Sequence, residues 1–69
     1  MSRTIRVNGA DQSFEGAHVI DLLRALGVDP ARRGVAVAVN GTVVPRARWG
    51  DLPLTGGEDV EIVRPLSGG

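Results

Sequence analysis

Cysteine is absent from this chain, and so is lysine. Without a thiol there is no disulfide framework, no thiolate nucleophile and no zinc cluster. Without a side-chain amine there is no Schiff-base chemistry and no isopeptide acceptor, and a P-loop, which needs lysine after its glycines, is excluded. Aromatic residues are nearly missing too: Phe14 and Trp49 stand alone. Eight basic residues, all arginine, balance eight acids, with no long block of one sign. Nucleic-acid binding calls for a basic stripe with stacking rings, so no such partner is expected. The stretch Met1-Ser2-Arg3-Thr4-Ile5-Arg6 lacks the apolar run of a signal peptide or membrane span. With no cysteine to protect, the expectation is a cytoplasmic protein with no membrane partner.

What is present is a run of short, punctuated elements. Thr4-Ile5-Arg6-Val7 alternates polar and apolar and is followed by Asn8-Gly9, a pair that tolerates the positive φ of a tight hairpin. The returning strand, around Gln12 to Glu15, would carry Phe14 into the core. Val19, Leu22, Leu23 and Leu26 recur at the spacing of an amphipathic helix. Gly27 stands where a left-handed C-terminal cap belongs, Val28 can fold back over it, and Pro30 prevents continuation. His18, where Ser, Thr or Asp would normally sit, is a weak cap or a surface residue. Gly34 to Val39 reads as a strand buried on at least one face. Asn40-Gly41 turns it into Thr42-Val43-Val44, which Pro45 ends because proline cannot donate to a ladder. Arg46 to Leu54 is an irregular or single-turn helical link, Thr55 to Glu58 a turn, and Asp59 to Arg64 the last strand.

One helix for four to five strands implies α+β architecture: a mixed sheet with the helix packed on one face, the β-grasp layout. Leu22, Leu23, Val37, Val39 and Ile62 are expected in its core. Trp49 reads as a lid on one edge, with Arg46 and Arg48 exposed beside it. The domain spans residues 1–64, and residues 65–69 form a flexible tail.

Side-chain catalysis finds little footing. There is one histidine, no Gly-x-Ser-x-Gly elbow, and the densest acids, Glu58, Asp59 and Glu61, read as a solvated turn and strand face. No catalytic residue and no metal site is expected. The unusual group is the main-chain carboxylate of Gly69, behind Gly68 on the narrowest possible stem. A carboxylate is a poor electrophile until it is converted to a mixed anhydride. No loop here is built to bind ATP, so a separate enzyme must supply that step. Five tail residues reach at most about 17 Å, enough to thread a buried pocket while the domain stays outside. Ser67, Gly68 and Gly69 would thread the partner's active site, and Arg64, Pro65 and Leu66, with the adjoining sheet face, would contact the partner.

Val44-Pro45-Arg46 followed by Trp49, then Leu54, Gly57-Glu58-Asp59-Val60-Glu61-Ile62-Val63 and the diglycine, resembles the bacterial thiamine-biosynthesis sulfur carrier. The likeness extends to Val19-Ile20-Asp21-Leu22-Leu23 and to Val37-Ala38-Val39-Asn40-Gly41, nearly the whole chain. Val-Pro-Arg-x-x-Trp is its most family-specific piece; diglycine is shared with many ubiquitin-like proteins. The resemblance implies a ubiquitin-like β-grasp and a carrier rather than an enzyme. Its terminal glycine, Gly69 by position, is adenylated by an E1-like adenylyltransferase that uses ATP. It is then converted to a thiocarboxylate with sulfur from a donor such as a cysteine desulfurase relay, and passes the sulfur to thiazole synthase. The chain itself is expected to hold no cofactor. His18, in place of Thr or Ser, and the tail Pro65-Leu66-Ser67 depart from the family pattern. The small subunit of molybdopterin synthase, which uses the same terminal chemistry, and a ubiquitin-like modifier are the alternatives.

Overall fold

The computed structural model describes residues 2–65. The chain forms β1 (Arg3–Val7), β2 (Ala10–Phe14), α1 (Val19–Ala25), β3 (Ala36–Val39), β4 (Thr42–Val44), a 3-10 turn (Arg46–Arg48) and β5 (Asp59–Val63). These make one five-stranded sheet in the order β2-β1-β5-β3-β4. β1 runs parallel to β5, and every other neighbouring pair is antiparallel. The expected α+β layout, a mixed sheet with one helix, is therefore present with five strands.

Both Asn-Gly pairs make the turns read from them. Asn8 and Gly9 have φ of 50° and 86°, Asn40 and Gly41 of 51° and 82°, the doubly positive backbone of the hairpin that matches strand twist. Only two residues separate the paired ends Val7 and Ala10, so β2 starts and ends earlier than the sequence suggests, and Phe14 closes it. At the far end of α1, Gly27 (φ 74°) lets its amide donate to Arg24 O at 3.1 Å and the Val28 amide to Leu23 O at 2.8 Å. That pair of backward bonds satisfies the last carbonyls and tucks Val28 into the core.

The start of α1 is held differently. The His18 side chain makes no capping hydrogen bond. Instead the Asp21 carboxylate accepts from the Ala17 and His18 amides at 3.0 and 2.9 Å. The helix amides of Val19 and Ile20 donate to Leu52 O and Trp49 O at 3.1 and 2.9 Å. The irregular link after β4 thus caps a helix some thirty residues upstream.

One face of the sheet and the apolar stripe of α1 enclose the core: Ile5, Val7 and Phe14 from the first hairpin, Val37, Val44, Val60 and Ile62 from the other strands, and Val19, Leu22 and Leu23 from the helix. Two sequence expectations need correction. Val39 is only partly buried, packed against the rim of the core, because it lies at the last register position of β3 before the turn. Trp49 is no lid on an edge. It is 2% exposed and the largest fully buried side chain, and its indole Nε1–H donates to Val44 O at 3.0 Å. The 3-10 turn points the ring inward under the sheet, where the buried indole finds the backbone partner it needs.

Candidate functional site at the root of the C-terminal tail

β5 occupies the centre of the sheet, between β1 and β3. A chain that ends on an edge strand can peel away; one that ends on a central strand keeps a fixed starting point for whatever follows. β5 is also clasped by both turn asparagines. Asn8 exchanges two hydrogen bonds with Ile62, and Asn40 exchanges two with Asp59. The root of the tail is therefore set by four side-chain and turn contacts in addition to the strand ladder.

The ladder ends at Val63, one residue before the strand end read from the sequence. Arg64 follows and is exposed; Pro65 is half-buried. The surface that receives Pro65 is Gly34, whose φ of 86° belongs to the left-handed region. A methyl group at Gly34 would lie 3.1 Å from Pro65 Cβ, so the absence of a side chain there makes the close approach possible. Leu66, Ser67, Gly68 and Gly69, four of the residues singled out in the sequence, lie outside the described residues.

On the sheet face away from α1, period two should place polar side chains. Thr4, Arg6, Asp11, Ser13, Asp59 and Glu61 follow that rule, and Arg6 meets Asp11 across the hairpin at 3.8 Å. The half of the face next to the tail breaks it. Ala36 pairs with Val63, and Ala38 pairs with both Glu61 and Val43. Val43 and Val63 are 73% and 60% exposed, the large hydrophobic side chains most open to solvent among the described residues. Ala36, Ala38, Val43, Val63 and Glu61 line a shallow depression of about 130 Å³. These apolar side chains adjoin the end of β5, from which the chain runs to Arg64 and Pro65. The signal for them was visible in the sequence as a strand, Val35 to Val39, apolar at both alternating sets of positions.

The acids form no proton-transfer pair. Partial burial pushes the Glu58 carboxyl up, but hydrogen bonds from the Thr55 and Gly56 amides, each at 2.8 Å, and from the Thr55 hydroxyl outweigh it. The net result is a carboxyl below its ordinary value, committed to holding the turn before β5. Asp21 is likewise held low, chiefly by the His18 and Ala17 amides. Asp59 and Glu61 are exposed, and no cluster of three or more metal-binding side chains occurs among the described residues. Among the described residues no helix is long and apolar enough to cross a membrane.

What this arrangement presents is a clasped central strand, exposed apolar side chains beside its end, and the residues that lead into the tail. A model of the ThiS family matches residues 5–69. The chain belongs to the ThiS family. Among solved structures it resembles the crystal structure of the thiamine biosynthesis protein ThiS from Geobacter metallireducens, with 33% identity and a TM-score of 0.75, over 96% of this chain and 99% of that one. The solution structure of a thiamine biosynthesis protein from Geobacter metallireducens gives 32% identity and a TM-score of 0.76, over 96% and 87% of the two chains. No curated protein sequence matches. The resemblance read from the Val-Pro-Arg-x-x-Trp segment and the diglycine thus holds across the ThiS-family domain, and the sheet is the ubiquitin-like β-grasp it implied.

Two contributors to the ThiS-family tail root escaped the sequence reading. In the sequence Gly34 is only the start of a strand, since nothing local distinguishes a left-handed glycine that receives a distant proline. Arg46 was read as an exposed neighbour of Trp49; it is exposed, but its guanidinium also bonds the loop that leads to Gly34.

Proposed function

We propose that this chain is the sulfur carrier of thiamine thiazole synthesis: a protein co-substrate, acted on by partner enzymes. The observation that carries the reading is that the family match runs through Gly68 to Gly69, so it includes the one group suited to the work. In the first step a carboxylate oxygen of Gly69 attacks the α-phosphate of ATP held by an E1-like adenylyltransferase. Pyrophosphate leaves and an acyl-adenylate forms. A persulfide, supplied by a donor such as a cysteine desulfurase relay, then displaces AMP to give an acyl disulfide, and a thiol of the donor side cleaves its S–S bond, forming a disulfide and releasing the thiocarboxylate. Thiazole synthase takes the sulfur, an oxygen from water or from the acceptor's carbonyl takes its place on the acyl carbon, and the carboxylate returns.

The division of labour follows from what the chain can hold. The sequence has no lysine for a P-loop, which supports placing ATP on the partner. The partner docks on the apolar half of the outer sheet face, around Val43 and Val63, and on Arg64, Pro65 and Leu66. Ser67, Gly68 and Gly69 thread its active site, where residues without Cβ atoms meet the least resistance. Residues 65–69 carry the terminal carboxylate to the partner, and the β-grasp domain serves as the handle.

Intact-mass analysis after incubation with the activating enzyme, ATP and a sulfur donor tests this reading. Replacing oxygen by sulfur adds about 16 Da at the C-terminus. Removing Gly69 draws the carboxylate back by about 3.5 Å, a displacement that costs on the order of a hundredfold in a positioned reaction. One residue appended after Gly69 locks its carboxyl in a peptide bond and abolishes adenylation, whereas Ser67→Ala leaves sulfur uptake substantially intact. Sulfur uptake at the C-terminus of the extended protein, without trimming, overturns the carrier reading.

A further inference from the structure

Arg46 lies sixteen residues from Pro30 and fourteen from Arg32 in sequence, yet its guanidinium donates to both carbonyls, through one terminal nitrogen to Pro30 O and through the other to Arg32 O at 2.9 Å. The same guanidinium carbon stacks 4.6 Å from the centroid of the Trp49 ring. A planar, charged fork clamped between a ring and two carbonyls holds its geometry far better than a lysine ammonium could. The ring beneath it is packed in the core and bonded to Val44 O. Arg46 therefore transfers the rigidity of the core to the 30–34 loop, which has no strand or helix of its own. That loop's last residue, Gly34, is the surface on which Pro65 rests. A continuous set of contacts runs from Trp49 through Arg46 and the loop to the tail root.

We propose that Arg46 is a positioning residue for the C-terminal carboxylate, acting through the 30–34 loop and Gly34 to fix the direction in which the chain leaves Pro65. The inference rests on the carrier reading for its use, while the mechanical coupling stands on the geometry alone. A fixed point of departure at Pro65 narrows the space searched before a partner's channel is entered, so the reacting carboxylate arrives more often in register. Arg46 does not line the depression around Val43 and Val63, the apolar part of the proposed docking surface. Its loss should thus lower the rate of the adenylation step with little change in KM.

The experiment uses the full-length protein in two arms. By NMR, the wild type shows an NOE between Gly34 Hα and the Pro65 ring. Arg46→Ala weakens that NOE and lowers the order parameter of the Arg64 amide, leaving Val60 and Ile62 unchanged. Arg46→Lys, which keeps the charge but not the fork, does the same to a smaller degree. In partner-dependent adenylation, Arg46→Ala lowers kcat by roughly five- to tenfold with KM within about twofold. Gly34→Ala leaves the Arg46–Trp49 stack in place but puts a methyl group 3.1 Å from Pro65 Cβ, displacing the ring, and reproduces the kcat loss even if Arg46→Ala does not fold. The double variant is no slower than the worse single one, because both act on one coupling. An unchanged NOE and Arg64 order parameter in both Arg46 variants overturns the coupling. Loosening without a fall in kcat overturns the positioning role and leaves the carrier reading standing. A wild type that is never adenylated removes the carrier reading instead, and the NMR arm still decides whether Arg46 holds Pro65.

Discussion

The carboxamide of Asn8 pairs with the backbone of Ile62 as a strand residue would, accepting from Ile62 N at 2.8 Å and donating to Ile62 O at 3.1 Å across fifty-four residues of sequence. β1 reaches β5 only at Arg6 and Val7, where Asp59 and Val60 are its partners. Beyond Val7 the chain turns away, and the Asn8 side chain continues the ladder in its place. One residue thus serves a hairpin through its positive φ and a parallel strand pair through its amide.

Asn8→Gly separates these two roles. Glycine keeps the positive φ but leaves Ile62 without its side-chain partner, so the variant should lose about 1–3 kcal/mol of stability, the range for two net hydrogen bonds. Chemical denaturation measures it. Stability equal to the wild type would show that the turn conformation alone is what position 8 supplies.

Trp49 offers a sharper separation of packing from hydrogen bonding. Trp49→Phe keeps most of the buried ring but leaves the Val44 carbonyl without its indole donor, for a loss of about 1–3 kcal/mol. Trp49→Ala leaves a large cavity and should cost about 3–5 kcal/mol, which in so small a domain approaches the whole stability. Leu23→Ala, at a fully buried helix position, belongs in the range of about 2–5 kcal/mol. Thermal midpoints order the three variants; a Trp49→Ala midpoint near that of the wild type would contradict the central placement of the ring.

Acid should weaken the fold through Glu58 and Asp21. Both carboxyls lie below their ordinary values, 4.5 and 3.8, in the folded chain. A depressed folded pKa means stability that is complete above the unfolded value and is lost as pH falls through the folded one. The thermal midpoint should therefore be flat near neutrality and fall once pH drops below about 4.5, first through Glu58 and then through Asp21. Glu58→Gln should be less stable than the wild type at neutral pH and show a shallower acid slope. Midpoints measured from neutral to acid pH for both proteins provide the comparison, and parallel curves would remove Glu58 from this role.

The outer face can be tested without disturbing the core. Val43 and Val63 are already mostly in water, so Val43→Asp and Val63→Asp should change stability by no more than about 0.5 kcal/mol. If the apolar patch is the docking surface for the activating enzyme, each should weaken association by about tenfold or more, by desolvating a charge at the contact. Calorimetric titration against the partner reads the effect directly. Undiminished affinity in both variants would move the docking surface elsewhere on the domain.

The local grammar of this fold is written in short stretches of the sequence. Two Asn-Gly pairs specify two tight turns because few other residues accept positive φ, and Gly27 with Val28 ends the helix for the same steric reason. The apolar periods separate one helix from the strands, and the diglycine with the Val-Pro-Arg-x-x-Trp segment carries the family likeness. What those stretches cannot contain is any relation between distant residues. The helix start looked poorly capped at His18 because its donors are met by Trp49 and Leu52, which approach it only after the sheet has formed. Trp49 looked peripheral because a lone aromatic in a polar link carries no period to mark it as core. Asn8 gave no sign of Ile62, nor Gly34 of Pro65, nor Arg46 of the loop it holds. Local backbone preference decides turns and element types within a few residues; which carbonyl an amide meets across the chain is decided only when tertiary packing brings them within hydrogen-bond reach.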